Sequence, residues 1–144
     1  MEVRRATRED YPGLLEMVAE FHESVRPRYP FTSSYVALQE AASYVWVAEE
    51  DGQLLGYIWA YPLSQHVLFV PQVYTRRRGV FPKLVEFAAA DVERLGYRGA
   101  VAIVIREGWK AFEKVGFVPT GVVMELAIAP RRVNVLPVLD KGED

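Results

Sequence analysis

The stretch Val73-Tyr74-Thr75-Arg76-Arg77-Arg78-Gly79-Val80-Phe81-Pro82 joins two different patterns. Before it, positions 67–74 are rich in β-formers and predict a strand. After it, Leu84, Val85, Ala88, Val92 and Leu95 recur at helical spacing, and Gly96 supplies a left-handed terminator. The longest helix is therefore expected over 79–95. Beyond Gly96, positions 100–105 are apolar throughout, as expected of a strand covered on both faces. A strand, a helix and a second strand in this order imply a parallel pair joined by a right-handed crossover. Pro71 lies inside the first of these strands and cannot donate to a ladder, which predicts a bulge or a splayed edge there.

Upstream the pattern is antiparallel. Positions 44–48 and 54–61 read as strands, and Asp51-Gly52 between them suits a tight hairpin turn. Positions 2–6 read as a first strand. A helix follows, with Leu14, Leu15, Val18 and Phe21 on one face. Thr7 and Asp10 are equally good caps for it, since Pro12 suits a first helical turn. A second short helix is expected over 35–42. Downstream, a short helix over 108–115 ends at Gly116, and strands are expected over 118–127 and 133–139. The fold class that results is α/β, with a mixed, mostly antiparallel sheet, helices on both faces and one parallel, splayed strand pair.

The chain has 144 residues, which suggests a single domain over 1–140 with a frayed tail at 141–144. Seventeen basic and 19 acidic residues give a formal charge of −2, so no net field points to nucleic acid or a membrane. There is no cysteine, which excludes disulfides, thiolate metal sites and a cysteine nucleophile. His22 and His66 show no ligand spacing, and no metal is expected. The N-terminus lacks an apolar core of signal-peptide length, and no apolar run approaches the roughly 20 residues of a membrane span. The expected location is the cytoplasm.

Chemistry concentrates in the opening stretch. The first turn of a helix has unpartnered N–H groups and a partial positive charge, which suit a phosphate. Arginines beside it add forked donors, and Gly79 lets the backbone approach a ligand closely. Two other readings attach to the same residues: a solvated arginine loop, and a small nucleic-acid patch. The second lacks interleaved exposed aromatics.

Arg76-Arg77-Arg78-Gly79-Val80-Phe81 resembles the cofactor loop of the GNAT N-acetyltransferase superfamily, Arg/Gln-x-x-Gly-x-Gly/Ala, at Arg76 and Gly79. Gly108 to Phe117 resembles the Ala-x-x-x-Tyr-Glu-Lys-Leu-Gly-Phe-like segment of that family. The opening Val3 to Asp10 and the Asp51-Gly52 hairpin also fall in family order. The resemblance implies an acyl-CoA N-acyltransferase fold and an acetyltransferase. Such an enzyme moves an acetyl group from acetyl-CoA, or another acyl group from its CoA ester, to an amine by direct attack in a ternary complex. By resemblance, Val73, Tyr74, Arg76, Arg77, Arg78, Gly79, Val80 and Phe81 would bind the cofactor, with the pantetheine arm along the fourth strand.

Two positions depart from the pattern. Phe81 stands where the family prefers glycine or alanine, so its ring must turn away from the pyrophosphate. Phe112 stands where many members have the tyrosine that protonates the leaving thiolate. The general base is not named by the sequence. Tyr74, His66 and Glu107 are the candidates, with Glu49 and Glu50 near them in order. A catalytically weak or inactive acyl-CoA-binding or protein-interaction module is the alternative. The aromatics Trp46, Tyr57, Trp59 and Tyr61 read mainly as packing residues, some of them as walls of an acceptor pocket, and Phe69, Trp109 and Phe117 as core. The partners implied are an acyl-CoA and an amine, and the apolar run 133–139 is suited to pairing in a homodimer.

Overall fold

A computed structural model describes residues 1–25, 43–104 and 108–121. Within them, five strands form one sheet in the order β1 (Glu2–Arg5), β2 (Tyr44–Glu50), β3 (Gln53–Pro62), β4 (Val67–Thr75) and β5 (Gly99–Ala102). The first three pairings are antiparallel and β4–β5 is parallel. The helices are α1 (Tyr11–Val25), α2 (Val80–Arg94) and α3 (Trp109–Lys114). The expected helix over 35–42, the strand over 133–139, most of the strand over 118–127 and the tail lie outside the described residues, and so does Glu107. Residues 118–121 are described and form no strand. No helix among the described residues is long and apolar enough to cross a membrane.

Strand alternation sends successive side chains to opposite faces, and each face meets one long helix. Trp46, Ala48, Ile58, Ala60, Leu68 and Val70 pack against Val80, Leu84 and Ala88 of α2. On the other face Val47, Tyr57 and Trp59 pack against Leu14, Met17 and Val18 of α1. Met17 and Leu84 are wholly buried, and each such side chain contributes about 1.5–3 kcal/mol relative to exposure.

Of the two N-terminal caps expected for the first helix, Thr7 holds the cap position and Asp10 is the third residue of its turn. Asp10 accepts the Thr7 N–H at 2.7 Å, closing a 3-10 turn over Arg8–Asp10, and α1 starts at the next residue. Asp51 and Gly52 adopt φ of 52° and 79°, the left-handed pair that a tight hairpin requires.

The β3–β4 ladder breaks where Pro71 lies. Trp59 faces Gln72 and Tyr61 faces Phe69, so Val70 and Pro71 together oppose Ala60. The extra residue shifts the side-chain parity of β4. Leu68 and Val70 face α2, and past the bulge Val73 does. Pairing with β5 runs only from Val67 to Val70 and stops one residue before the proline. This shortens β5 to Gly99–Ala102, against an expectation of 100–105. Nor is β5 covered on both faces, since Val101 is 45% exposed. Trp109, expected in the core, is 49% exposed.

Candidate active site

Past Val70, β4 continues for five residues with β3 on one edge and no described strand on the other. The Arg76 N–H donates to the Leu55 carbonyl at 2.7 Å. An antiparallel ladder alternates, so the N–H and C=O of Thr75 and Val73 point to the open edge. That edge leads directly into the turn and α2.

Gly79 caps α2 at φ 85° and ψ −12° and offers the first-turn amides no side-chain acceptor of its own. A Cβ built on Gly79 meets nothing within 4 Å, so the space beside this turn is open. Pro82 is the third helical residue and has no donor, so the backbone donors at this helix start are among Gly79, Val80 and Phe81. Val80 itself is buried and anchors the turn to the core.

The ring of Phe81 turns onto α3. It meets Phe112 at a centroid distance of 4.8 Å, and Phe112 meets Phe117 at 5.0 Å. Phe81, Phe112 and Phe117 line a mostly apolar cavity of about 500 Å³ between α2 and the sheet, with Val73 at its wall.

The three arginines of the turn have different surroundings. Arg76 reaches the α1 face, where Nε and Nη2 donate to the two oxygens of Glu20 at 3.0 and 2.7 Å. Its Nη1 donates to the Leu54 carbonyl at 2.9 Å, and Glu16 lies 3.7 Å away. Arg77 pairs with Glu50 at the end of β2. Arg78 is exposed and, among the described residues, has no carboxylate partner.

Tyr74 sits on the α1 face with its ring 6.4 Å from those of Phe21 and Tyr57. Glu20 is the carboxylate near its hydroxyl. Burial first, and this carboxylate second, push the tyrosine pKa up. Arg76 holds Glu20 below the usual carboxylate range. Gln72, which the sequence reading passes over, is buried on the same face and accepts the Tyr57 hydroxyl at 2.9 Å. A polar residue in an otherwise apolar strand was the available signal. His66 lies in the turn before β4, about 30 Å of strand away from Thr75 at about 3.3 Å per residue. Glu49 pairs with Arg4. Among the described residues no three His, Asp or Glu side chains form a metal-holding group.

Residues 7–117 match the model of the Acetyltransferase (GNAT) family. The chain belongs to the GNAT acetyltransferase family. Solved GNAT-like structures share its fold. A probable acetyltransferase is 19% identical with a TM-score of 0.72, over 90% of this chain and 99% of that one. A ribosomal-protein-alanine N-acetyltransferase from Brucella melitensis biovar Abortus 2308 is 19% identical with a TM-score of 0.69, over 88% and 100%. The aminoglycoside N-acetyltransferase AAC(6')-Iy, in complex with CoA, is 17% identical with a TM-score of 0.67, over 87% and 97%. No curated protein sequence matches this GNAT chain at a significant level.

Proposed function

We propose that this GNAT protein is an N-acyltransferase that moves an acetyl group from acetyl-CoA to an amine. The observation that carries the proposal is the edge of β4 past Val70, unpaired among the described residues, running into the N-terminus of α2 with Gly79 between them. The residues present fit a CoA ester. The backbone N–H donors at the Gly79–Phe81 helix start suit its diphosphate. The N–H and C=O of Val73 and Thr75 suit an arm that adds to the strand edge. The cofactor segment is thus Val73 to Phe81, acting largely through its backbone.

The thioester supplies an activated acyl group. The chain supplies the rest. The Val73 and Thr75 amides on the free edge are available to a carbonyl oxygen on which charge develops. The Phe81, Phe112 and Phe117 rings form an apolar wall beside that edge. Phe112 carries no hydroxyl, so no proton comes from that position. Departure of the thiolate relies on its own pKa, which for a free cysteine-like thiol is about 8.5. Tyr74 is the ionisable side chain of this strand segment, and we assign it the handling of the acceptor's proton, with Glu20 behind it. His66, at the far end of β4, has no place in this scheme.

The reading is tested by release of free thiol from acetyl-CoA in the presence of a panel of small amines, peptides and protein N-termini. Amine-dependent release that is lost on Gly79→Trp supports it. Binding of acetyl-CoA with no release on any acceptor supports a binding module instead.

A further inference from the structure

We infer that Arg76 is a positioning residue that clamps the end of β4 to α1, and that Arg78 is the cation of this turn that meets the donor's phosphates. The inference rests on the functional reading above.

Three observations separate the two arginines. First, Arg76 has no nitrogen left idle. Nε and Nη2 fork onto Glu20, Nη1 holds the Leu54 carbonyl, and its backbone N–H holds Leu55. A two-bond fork onto a carboxylate is among the stronger surface arrangements and fixes its guanidinium in place. Second, that guanidinium lies on the α1 face, whereas Phe81 and the core-facing side of α2 lie on the other. It lines a cavity shared with Glu9, Asp10, Glu16 and Glu49, where the local charge opposes a diphosphate. Third, Arg78 is exposed, stands next to Gly79 and has no carboxylate partner among the described residues. Arg77 is intermediate, since Glu50 holds it at the hairpin.

The clamp has a consequence for the site. Glu20 accepts from Arg76 and lies near the Tyr74 hydroxyl. One carboxylate therefore sets the Tyr74 hydroxyl and the base of the cofactor turn together. Cutting the clamp loosens both.

The test is calorimetric titration of CoA into the wild type, Arg76→Gln, Arg76→Lys, Glu20→Gln, the Arg76→Gln/Glu20→Gln double variant and Arg78→Gln, each at low and high salt. Circular dichroism confirms that each variant is folded. Arg76→Gln and Glu20→Gln should weaken CoA by the same factor, about threefold, and the double variant no further, since both cut one interaction. Arg76→Lys, still able to pair with Glu20, should recover most of the loss. Arg78→Gln should weaken CoA about tenfold, the loss of one charge-assisted contact, and reduce the salt dependence. A Glu20→Gln variant that binds CoA as well as or better than wild type while Arg76→Gln binds worse would mean that the freed guanidinium contacts phosphate, and the inference fails. Arg78→Gln with unchanged affinity and salt dependence also overturns it. A wild type that does not bind CoA at all refutes the functional reading itself, and this inference with it.

Discussion

The rings of Phe81 and Phe112 meet with their centroids 4.8 Å apart, joining the first turn of α2 to α3. These are the two positions at which the sequence reading expects a departure from the family's pattern. A glycine or alanine at 81 has no ring to offer Phe112. The contact commits the Phe81 side chain to α3.

Phe112→Tyr adds one hydroxyl to a half-buried ring that keeps its aromatic neighbours. Stability should change by less than about 0.5 kcal/mol. If the ring faces the leaving sulfur, kcat at neutral pH should rise about tenfold, a fraction of what a well-placed general acid supplies. The measurement is steady-state thiol release. A kcat no higher than wild type would place the Phe112 ring edge away from the leaving group.

Tyr74→Phe removes the hydroxyl near Glu20 and keeps the ring against Phe21 and Tyr57. The expected result is a fall in kcat of about 100-fold with little change in KM for acetyl-CoA. Unchanged kcat would remove Tyr74 from the chemistry.

Gly56→Ala tests how β3 supports the turn. A Cβ there would lie 2.8 Å from the Tyr74 carbonyl oxygen and 3.1 Å from a Val80 methyl. The carbonyl is backbone and cannot step aside, so β4 must shift next to the cofactor turn. The variant should lose about 2 kcal/mol or more in urea unfolding and bind CoA more weakly. Gly79→Ala differs. Its Cβ meets nothing, and the cost comes from φ 85° alone, about 1–2 kcal/mol.

Much of this architecture is written locally. Pro71 marks the bulge because a missing N–H is a property of one residue, and Asp51-Gly52 marks the hairpin for the same kind of reason. The length of β5 is not local. It is set by the place where Pro71, on another strand, ends the pairing. The same division holds in the site. Gly79 and the open helix start are legible in the turn itself. The different roles we give Arg76 and Arg78 depend on Glu20, which is 56 residues away in sequence, and on which face of the sheet α1 covers. The role of Gln72 is not local either, since its partner, the Tyr57 hydroxyl, lies on the neighbouring strand.

Asp91 gives the fold a defined acid limb. It is buried in α2 and accepts from Arg5 Nε at 2.6 Å, Trp46 Nε1 at 2.9 Å and Arg94 at 2.6 Å, tying the helix to β1 and β2. The Arg5 contact chiefly, with Trp46 and Arg94 added, lowers its pKa from 3.8 to about 2. A carboxylate whose folded pKa is depressed contributes fully above its unfolded value. That contribution is lost as pH falls through the folded one. About 2 kcal/mol of stability should therefore disappear between roughly pH 4 and pH 2. Asp10, also lowered by Arg4, adds in the same direction. Urea unfolding across this range should show a smaller loss in Asp91→Asn than in wild type. Equal losses would mean that other carboxylates set the limb.

The central claim is that the β4 edge and the α2 start form one acyl-CoA site per chain. Isothermal titration of acetyl-CoA into the wild-type protein tests it most directly. Saturable binding of one acetyl-CoA per chain is expected, with a dissociation constant in the micromolar range, weakened at least about tenfold by Gly79→Trp, which places a bulky ring beside the turn. No heat of binding at millimolar acetyl-CoA, or binding that Gly79→Trp leaves intact, would contradict it.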